Sequence, residues 1–389
     1  MTELGAASLV LGATLAWFAL AFLPALHELL RPTDISALRV VHEYNRDIKH
    51  FANRFRALIA QHVDDRAAAE SEERREIILP NGSPLLIIPG GSTSAPLPPQ
   101  ALGEMHTGEW AALERGGTPA AQGSMIIAAY RPLDIASGMV VFADVFTSHG
   151  LRTGRGSVVR AALALSHIRL GSGSVVLRWI HSDQSLTAGT DCRLYGRASA
   201  DDRMLLSEGC TFQRIHAPVI GFGSWASEGY QPEPARRPFK ARPWFRRGYG
   251  RIIVTDDLTI PARTVLTEDL IVTGELLVER DVHIIGSVKA DGSARLQERV
   301  RVDGSLITGD SLYLGEFCRV RGPLVAERNM VLAASVALGT IDQPVSVTAE
   351  RIFVGAGARA FGLVWAREMG QVINSEMAGH VAETAGHVT

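Results

Sequence analysis

The sequence predicts an all-β chain wound as a triangular parallel β-solenoid in two blocks, preceded by a transmembrane helix and a juxtamembrane α-helix. Three observations predict this: an unbroken six-residue beat, glycines that recur every eighteen residues inside it, and a long uncharged run near the start. A fixed period of this length marks a repeat architecture in which each unit buries its apolar face on its neighbours.

The beat runs from Leu258/Ile260 to Val336/Leu338. Residues at i and i+2 recur as fourteen pairs, none of the 28 positions is charged, and 22 of them are Val, Ile, Leu or Met. Two inward residues one apart make a short strand, because alternate side chains point to opposite faces. The other four residues of each beat turn a corner. Gly286, Gly304 and Gly322 fall two residues past an inward pair. They predict corners that need a permissive backbone. Three six-residue rungs then make one coil. Coils stack at about 4.8 Å, so the fourteen pairs form a prism of roughly 22 Å with a sealed aliphatic core.

The beat breaks after Leu338 and resumes at Ile352/Val354, Ala358/Ala360 and Val364/Ala366, which places four extra residues in a loop near Asp342-Gln-Pro344. A weaker version runs from Ile168/Leu170 to Cys210/Phe212 and defines a first block starting near Met125. Cys192, Cys210 and Cys318 all sit on inward beats. They read as small buried hydrophobes, and so few cysteines fit a reducing compartment.

Leu4–Leu26 carries no ionisable side chain over 23 residues. As a helix it would span about 34 Å, enough for a bilayer core. A cleaved signal would need a basic start, which is missing. Arg31, Arg39, Arg46 and Lys49 follow the run. Basic residues mark the cytoplasmic flank, so the bulk of the chain is expected there. Val41, Tyr44, Ile48, Phe51, Phe55, Leu58 and His62 then alternate steps of three and four. That seam fits either a short coiled coil or an amphipathic helix lying on the membrane or on the solenoid.

The boundaries read as an anchor at 1–30, a helix at 31–76, a Pro/Gly-rich linker at 77–124 and block one at 125–222. A basic aromatic linker at 223–250, block two at 251–366 and a tail at 367–389 complete the chain. The first linker leaves room for a hairpin around Asn81-Gly82, and the tail for one short helix. The second linker carries Arg236, Arg237, Lys240, Arg242, Arg246 and Arg247, interleaved with Phe239, Trp244 and Phe245. These residues are candidates for contact with anionic lipid or a partner; the other reading is a loop whose aromatics cap an open solenoid end. A formal charge of −2 argues against nucleic acid as a partner.

No phosphate-binding loop, His-Glu-x-x-His or Cys-x-x-Cys is present. No catalytic, cofactor or metal residues are therefore expected. The enzyme rival is a hexapeptide-repeat acyltransferase, but in block two only His283 could act as its base.

With its eighteen-residue coils at 258–338 and the stretch Leu186–Gly223, the chain resembles the bactofilins. That resemblance implies a right-handed triangular β-helix that assembles end to end without nucleotide. It also implies attachment to the bacterial inner membrane and a scaffolding role for cell-envelope or cell-shape machinery. The expected partners are other copies of the chain, membrane lipid and other envelope proteins. A non-polymeric envelope adaptor is the alternative. Solenoid ends expose unpaired edges and apolar core. Apolar residues at the block ends, Leu258, Ile260, Val364 and Trp365, are thus the expected assembly contacts.

Overall fold

The structure is a computed structural model that describes residues 49–91, 97, 102, 125–224, 235–240, 246–248 and 250–374. The chain divides into two compact units, Met1–Asp47 and Ile48–Thr389, and every described residue lies in the second. The run Leu4–Leu26 and the seam positions up to Ile48 lie outside the described residues. Among the described residues, no helix is long and apolar enough to cross a membrane.

Apart from two short helices the second unit is β, a solenoid of about 13 turns. From Leu258 to Leu338 every coil of block two repeats the one before it in register. On one face Leu258 pairs with Leu276, Leu276 with Ala294, Ala294 with Leu312 and Leu312 with Met330, all parallel. The other two faces step likewise, as in Leu270 with Val288 and His283 with Arg301. All 28 inward positions of the beat are buried. The physical cause is the alternation of the strand: each rung shows two residues to the interior and one to the outside. The expected insertion is present. The partner of Met330 is Ile352, four residues later than the regular step, and the surplus forms a turn closed between Thr340 and Gln343.

The eighteen-spaced glycines serve a different purpose from the one expected. Gly286, Gly304 and Gly322 do not have positive φ. Instead a Cβ on Gly304 would lie 2.6 Å from the Gly286 carbonyl oxygen, and one on Gly322 2.5 Å from that of Gly304. They permit coils to stack closely. The left-handed corner falls on Arg263, Asp281, Arg299, Phe317 and Ser335, with φ between 56° and 63°. Left-handed backbone costs an L-residue on the order of 1–2 kcal/mol, and here the stacked coils impose it.

Block one starts earlier than its beat shows. Strand Pro84–Ile88 pairs in parallel with Ile126–Ala129 and is the second arm of an antiparallel hairpin with Arg75–Ile78. The segment expected to be a linker therefore supplies the first strand of the block. Coils of irregular length explain why the beat is weak. Ile168 steps to Leu186 and then Met204 by eighteen, but Leu151 steps to Ile168 by seventeen and Met204 to Ile220 by sixteen.

Helix α1 (His50–His62) and helix α2 (Asp65–Glu70) lie on one outer face of block one. Ala52, Phe55 and Ile59 pack on the outward residues Ala161, Leu163 and Trp179 of that face. Phe55 meets the Trp179 ring edge-on at 5.4 Å. The buried stripe is thus one residue away from part of the expected seam, and Phe51 is exposed. Of the readings of this helix, docking on its own solenoid is the one found. The Asp64 side chain caps α2 by accepting from the backbone of Arg66 and Ala67, and Tyr130 donates to Asp65 at 2.6 Å.

The two blocks are not separate prisms. The last strand of block one, Thr211–Phe222, pairs antiparallel with the last strand of block two, Arg359–Ile373. The C-terminal ends of the blocks close on each other, and one apolar core runs from Leu86 to Val372. The start of the tail expected to be helical, 367–373, is part of that closing strand.

Candidate functional site

The expected assembly residues divide between the two ends of block two. Val364 lies opposite Ile215 and Trp365 opposite Arg214 in the closing ladder. Val364 is buried, while Trp365 is 41% exposed with the Arg214 guanidinium 5.2 Å from its ring centre. These two residues therefore join the blocks inside one chain instead of presenting a bare end. The reason is the antiparallel ladder, which uses the backbone edge that a second copy would need.

Leu258 and Ile260 belong to the first coil, at the opposite end of block two. That coil has three strands. Arg251–Val254 is covered from outside by Arg246–Gly248, antiparallel. Thr264–Leu266 is covered by Arg237–Pro238, parallel. Leu258–Ile260 pairs with Leu276–Val278 above it and with no second strand among the described residues. Beside it opens a cavity of about 720 Å³ bordered by Arg237, Lys240, Asp256, Asp257, Leu258 and Thr259.

The basic aromatic segment reaches this end. Phe239 is half-buried against the common core, and its amide donates to the Val265 carbonyl. Arg236 donates through Nε to the Asp281 carbonyl at 3.0 Å. Capping of a solenoid end thus accounts for residues 236–239. Arg237 and Lys240 are exposed at the cavity. Arg242 and Trp244 lie outside the described residues; Arg246 and Arg247 lie in the covering strand.

A polar cluster that no sequence motif marks lies beside α1. His181 Nδ1 is 2.8 Å from Ser199 Oγ, and its Nε2 lies 3.2 Å from Asp183 Oδ1 and 3.7 Å from Asp201 Oδ1. His216 follows Ser199 in the same ladder. The spacing resembles a Ser–His–Asp relay, and His181, Asp183 and Asp201 are close enough together to hold a metal ion. The chain already supplies the cations, however. Lys49 Nζ is 2.6 Å from Asp201, and Arg56 pairs with Asp183. Ser199 and His181 are 2% and 1% exposed, so the hydroxyl is closed to a substrate. The ion pairs of the cluster fasten the rim of α1 to block one, beside the apolar contacts that hold it. Burial outweighs the two carboxylates and lowers the His181 pKa, and burial with Lys49 beside it brings His216 down to about 4. Its sequence signal is the repetition of polar residues one coil apart, such as Asp183 and Asp201, at outward positions.

His283, the residue an acyltransferase would need, lies on the outer face of block two. Its Nε2 is 2.7 Å from Asp303, which also accepts from Arg301. Burial pushes the Asp303 carboxyl up, but these hydrogen bonds outweigh it and hold the group below the usual carboxylate range. The cavity at the first coil does not include His283. The three cysteines are buried and free; burial pushes the Cys318 thiol up to about 12.

No protein-family model matches the chain, and neither a curated protein nor a solved structure does. The fold and its sites therefore define the class, a β-solenoid with a continuous aliphatic core.

Proposed function

We propose that the chain is a bactofilin-like structural scaffold without enzymatic activity, and that it works as a finite adaptor at the bacterial inner membrane. In this reading Leu4–Leu26 anchors it in the lipid and the bulk of the chain lies on the cytoplasmic side. The observation that carries the reading is the single core from Leu86 to Val372. A column filled by interlocked aliphatic side chains gives stiffness and leaves no interior room for a cofactor. Three features favour a finite adaptor over a filament. The C-terminal ends of both blocks are used up by each other. The start of block one carries the hairpin Arg75–Ile88, and the start of block two carries strands 237–238 and 246–248.

The second reading is nucleotide-free self-assembly into filaments, favoured by the edge of Leu258–Ile260. Electron microscopy of the purified full chain in nucleotide-free buffer separates the two. Discrete particles over a range of salt are expected. Filaments that a Leu258→Arg change disperses would overturn the adaptor reading in favour of end-to-end assembly.

A further inference from the structure

We infer that His181, Asp183 and Asp201 form a binding site for one divalent metal ion of the zinc type, and that this ion competes with Lys49 and Arg56 for the two carboxylates. The inference does not depend on whether the chain is an adaptor or a filament.

Strand register places the donor atoms. His181 pairs with Ser199 one coil on. Asp183 and Asp201 follow these two strands at equivalent positions. The Asp183 amide donates to the Ala164 carbonyl, and the Asp201 amide to the Ser182 carbonyl. The two acidic residues are therefore stacked one coil apart, roughly 4.8 Å along the sheet. Like charges placed opposite each other on neighbouring strands repel. A cation between them removes that repulsion.

The separations suit a metal. His181 Nε2 is 3.2 Å from Asp183 Oδ1 and 3.7 Å from Asp201 Oδ1, and the three atoms all lie within 4.8 Å of one another. Ligand atoms on a tetrahedral zinc ion stand about 3.3–3.5 Å apart, given bonds of about 2.0–2.1 Å. The imidazole is also prepared for the role. Burial lowers its pKa and keeps it neutral at ordinary pH, as a ligand must be. With Nε2 on a metal, the ring proton sits on Nδ1 and donates to Ser199 Oγ, 2.8 Å away. Metal-bound histidines are oriented by such a bond from the other nitrogen. An imidazole among the donors favours ions of the zinc type over magnesium or calcium, which take oxygen ligands.

The charge already gathered there points to a dication. Lys49 Nζ is 2.6 Å from Asp201, and Arg56 pairs with Asp183. These two side chains bring two positive charges to two carboxylates. One divalent ion brings the same charge in a single atom and adds a bond to the His181 nitrogen. Asp183 and Asp201 are 27% and 37% exposed, so an ion reaches them from solvent. The ion and the two α1 cations draw on the same oxygens, so each weakens the binding of the other. Phe55 and Ile59 still hold the middle of α1 on block one. Zinc therefore loosens only the first turns of the helix.

The test is calorimetric titration of zinc chloride into the full chain in detergent, after treatment with a chelator and dialysis. One saturable site is expected. Co2+ in place of zinc should give the visible absorption of nitrogen and oxygen coordination without a thiolate band. Asp183→Asn together with Asp201→Asn should abolish binding. Lys49→Gln together with Arg56→Gln should tighten it at least about fivefold, a gain that misfolding does not imitate. Ser199→Ala, which frees the imidazole to turn, should weaken it about tenfold. In the unaltered chain, zinc should speed hydrogen exchange over residues 50–56 and leave Leu270–Val272 unchanged. Zinc binding that survives the two asparagines is adventitious and overturns the inference. So does the absence of saturable binding in both the unaltered chain and the glutamine variant. Equal affinity in those two chains overturns the competition with α1, and the inference with it.

Discussion

At the scale of single residues, two periodicities are superimposed on each coil. The inward column is read by hydrophobicity alone, and all 28 of its members are buried. The corner column is set by backbone geometry, and it accepts Arg263, Phe317 and Ser335 as readily as glycine. Composition could not reveal it, since the stacking of coils decides which backbone angles are imposed. The outward row that includes His181, Ser199 and His216 has a consequence in pH. An exposed histidine titrates near 6.5, whereas burial holds His216 at about 4. Between those values the unfolded chain binds a proton that the folded chain does not. Stability is therefore full above about pH 6.5, falls as the pH drops toward about 4, and levels off below. Urea unfolding at several pH values should show this decline, and His216→Gln should make it shallower, leaving the share that the likewise lowered His181 contributes. An equally steep decline in the variant would mean that His216 is not its source.

At the scale of elements, α1 shows how a surface is decided by what it lies on. Its apolar spacing was visible in the sequence, but three surfaces could have accepted it. The outer face of block one settled the matter through Ala161, Leu163 and Trp179, residues that a free solenoid would expose. The Lys49–Asp201 and Arg56–Asp183 pairs fasten the rim. Such partly exposed pairs contribute little next to apolar burial, which supplies about 1.5–3 kcal/mol for a side chain like Ile59. Ile59→Asp should accordingly release the helix. Hydrogen exchange would show lost protection over His50–His62 with Leu270–Val272 still protected. Unchanged protection of the helix would mean that the ion pairs alone hold it.

At the scale of the whole molecule, the closing ladder between Thr211–Phe222 and Arg359–Ile373 makes one body of two blocks. Solenoid stability is close to a sum of coil and neighbour terms, so a shared end couples the two blocks as neighbouring coils are coupled. Scanning calorimetry should show a single unfolding transition. Val364→Arg places a charge in the buried junction opposite Ile215 and should divide it into two. Two transitions in the unaltered chain would show that the junction does not couple the blocks.

The sequence by itself determined the coil. The inward pairs, the six-residue rung, three rungs to a turn and the insertion before Pro344 are local in period, so each could be read from neighbouring residues. For the segment around Phe239 it left two readings open, a solenoid cap and a lipid or partner contact. Only the tertiary structure decided which ends meet. Ile215 and Val364 are far apart in the chain, and antiparallel pairing between them leaves no periodic trace. A strand edge is open or closed according to what the rest of the chain lays against it, and that is a property of the assembled fold.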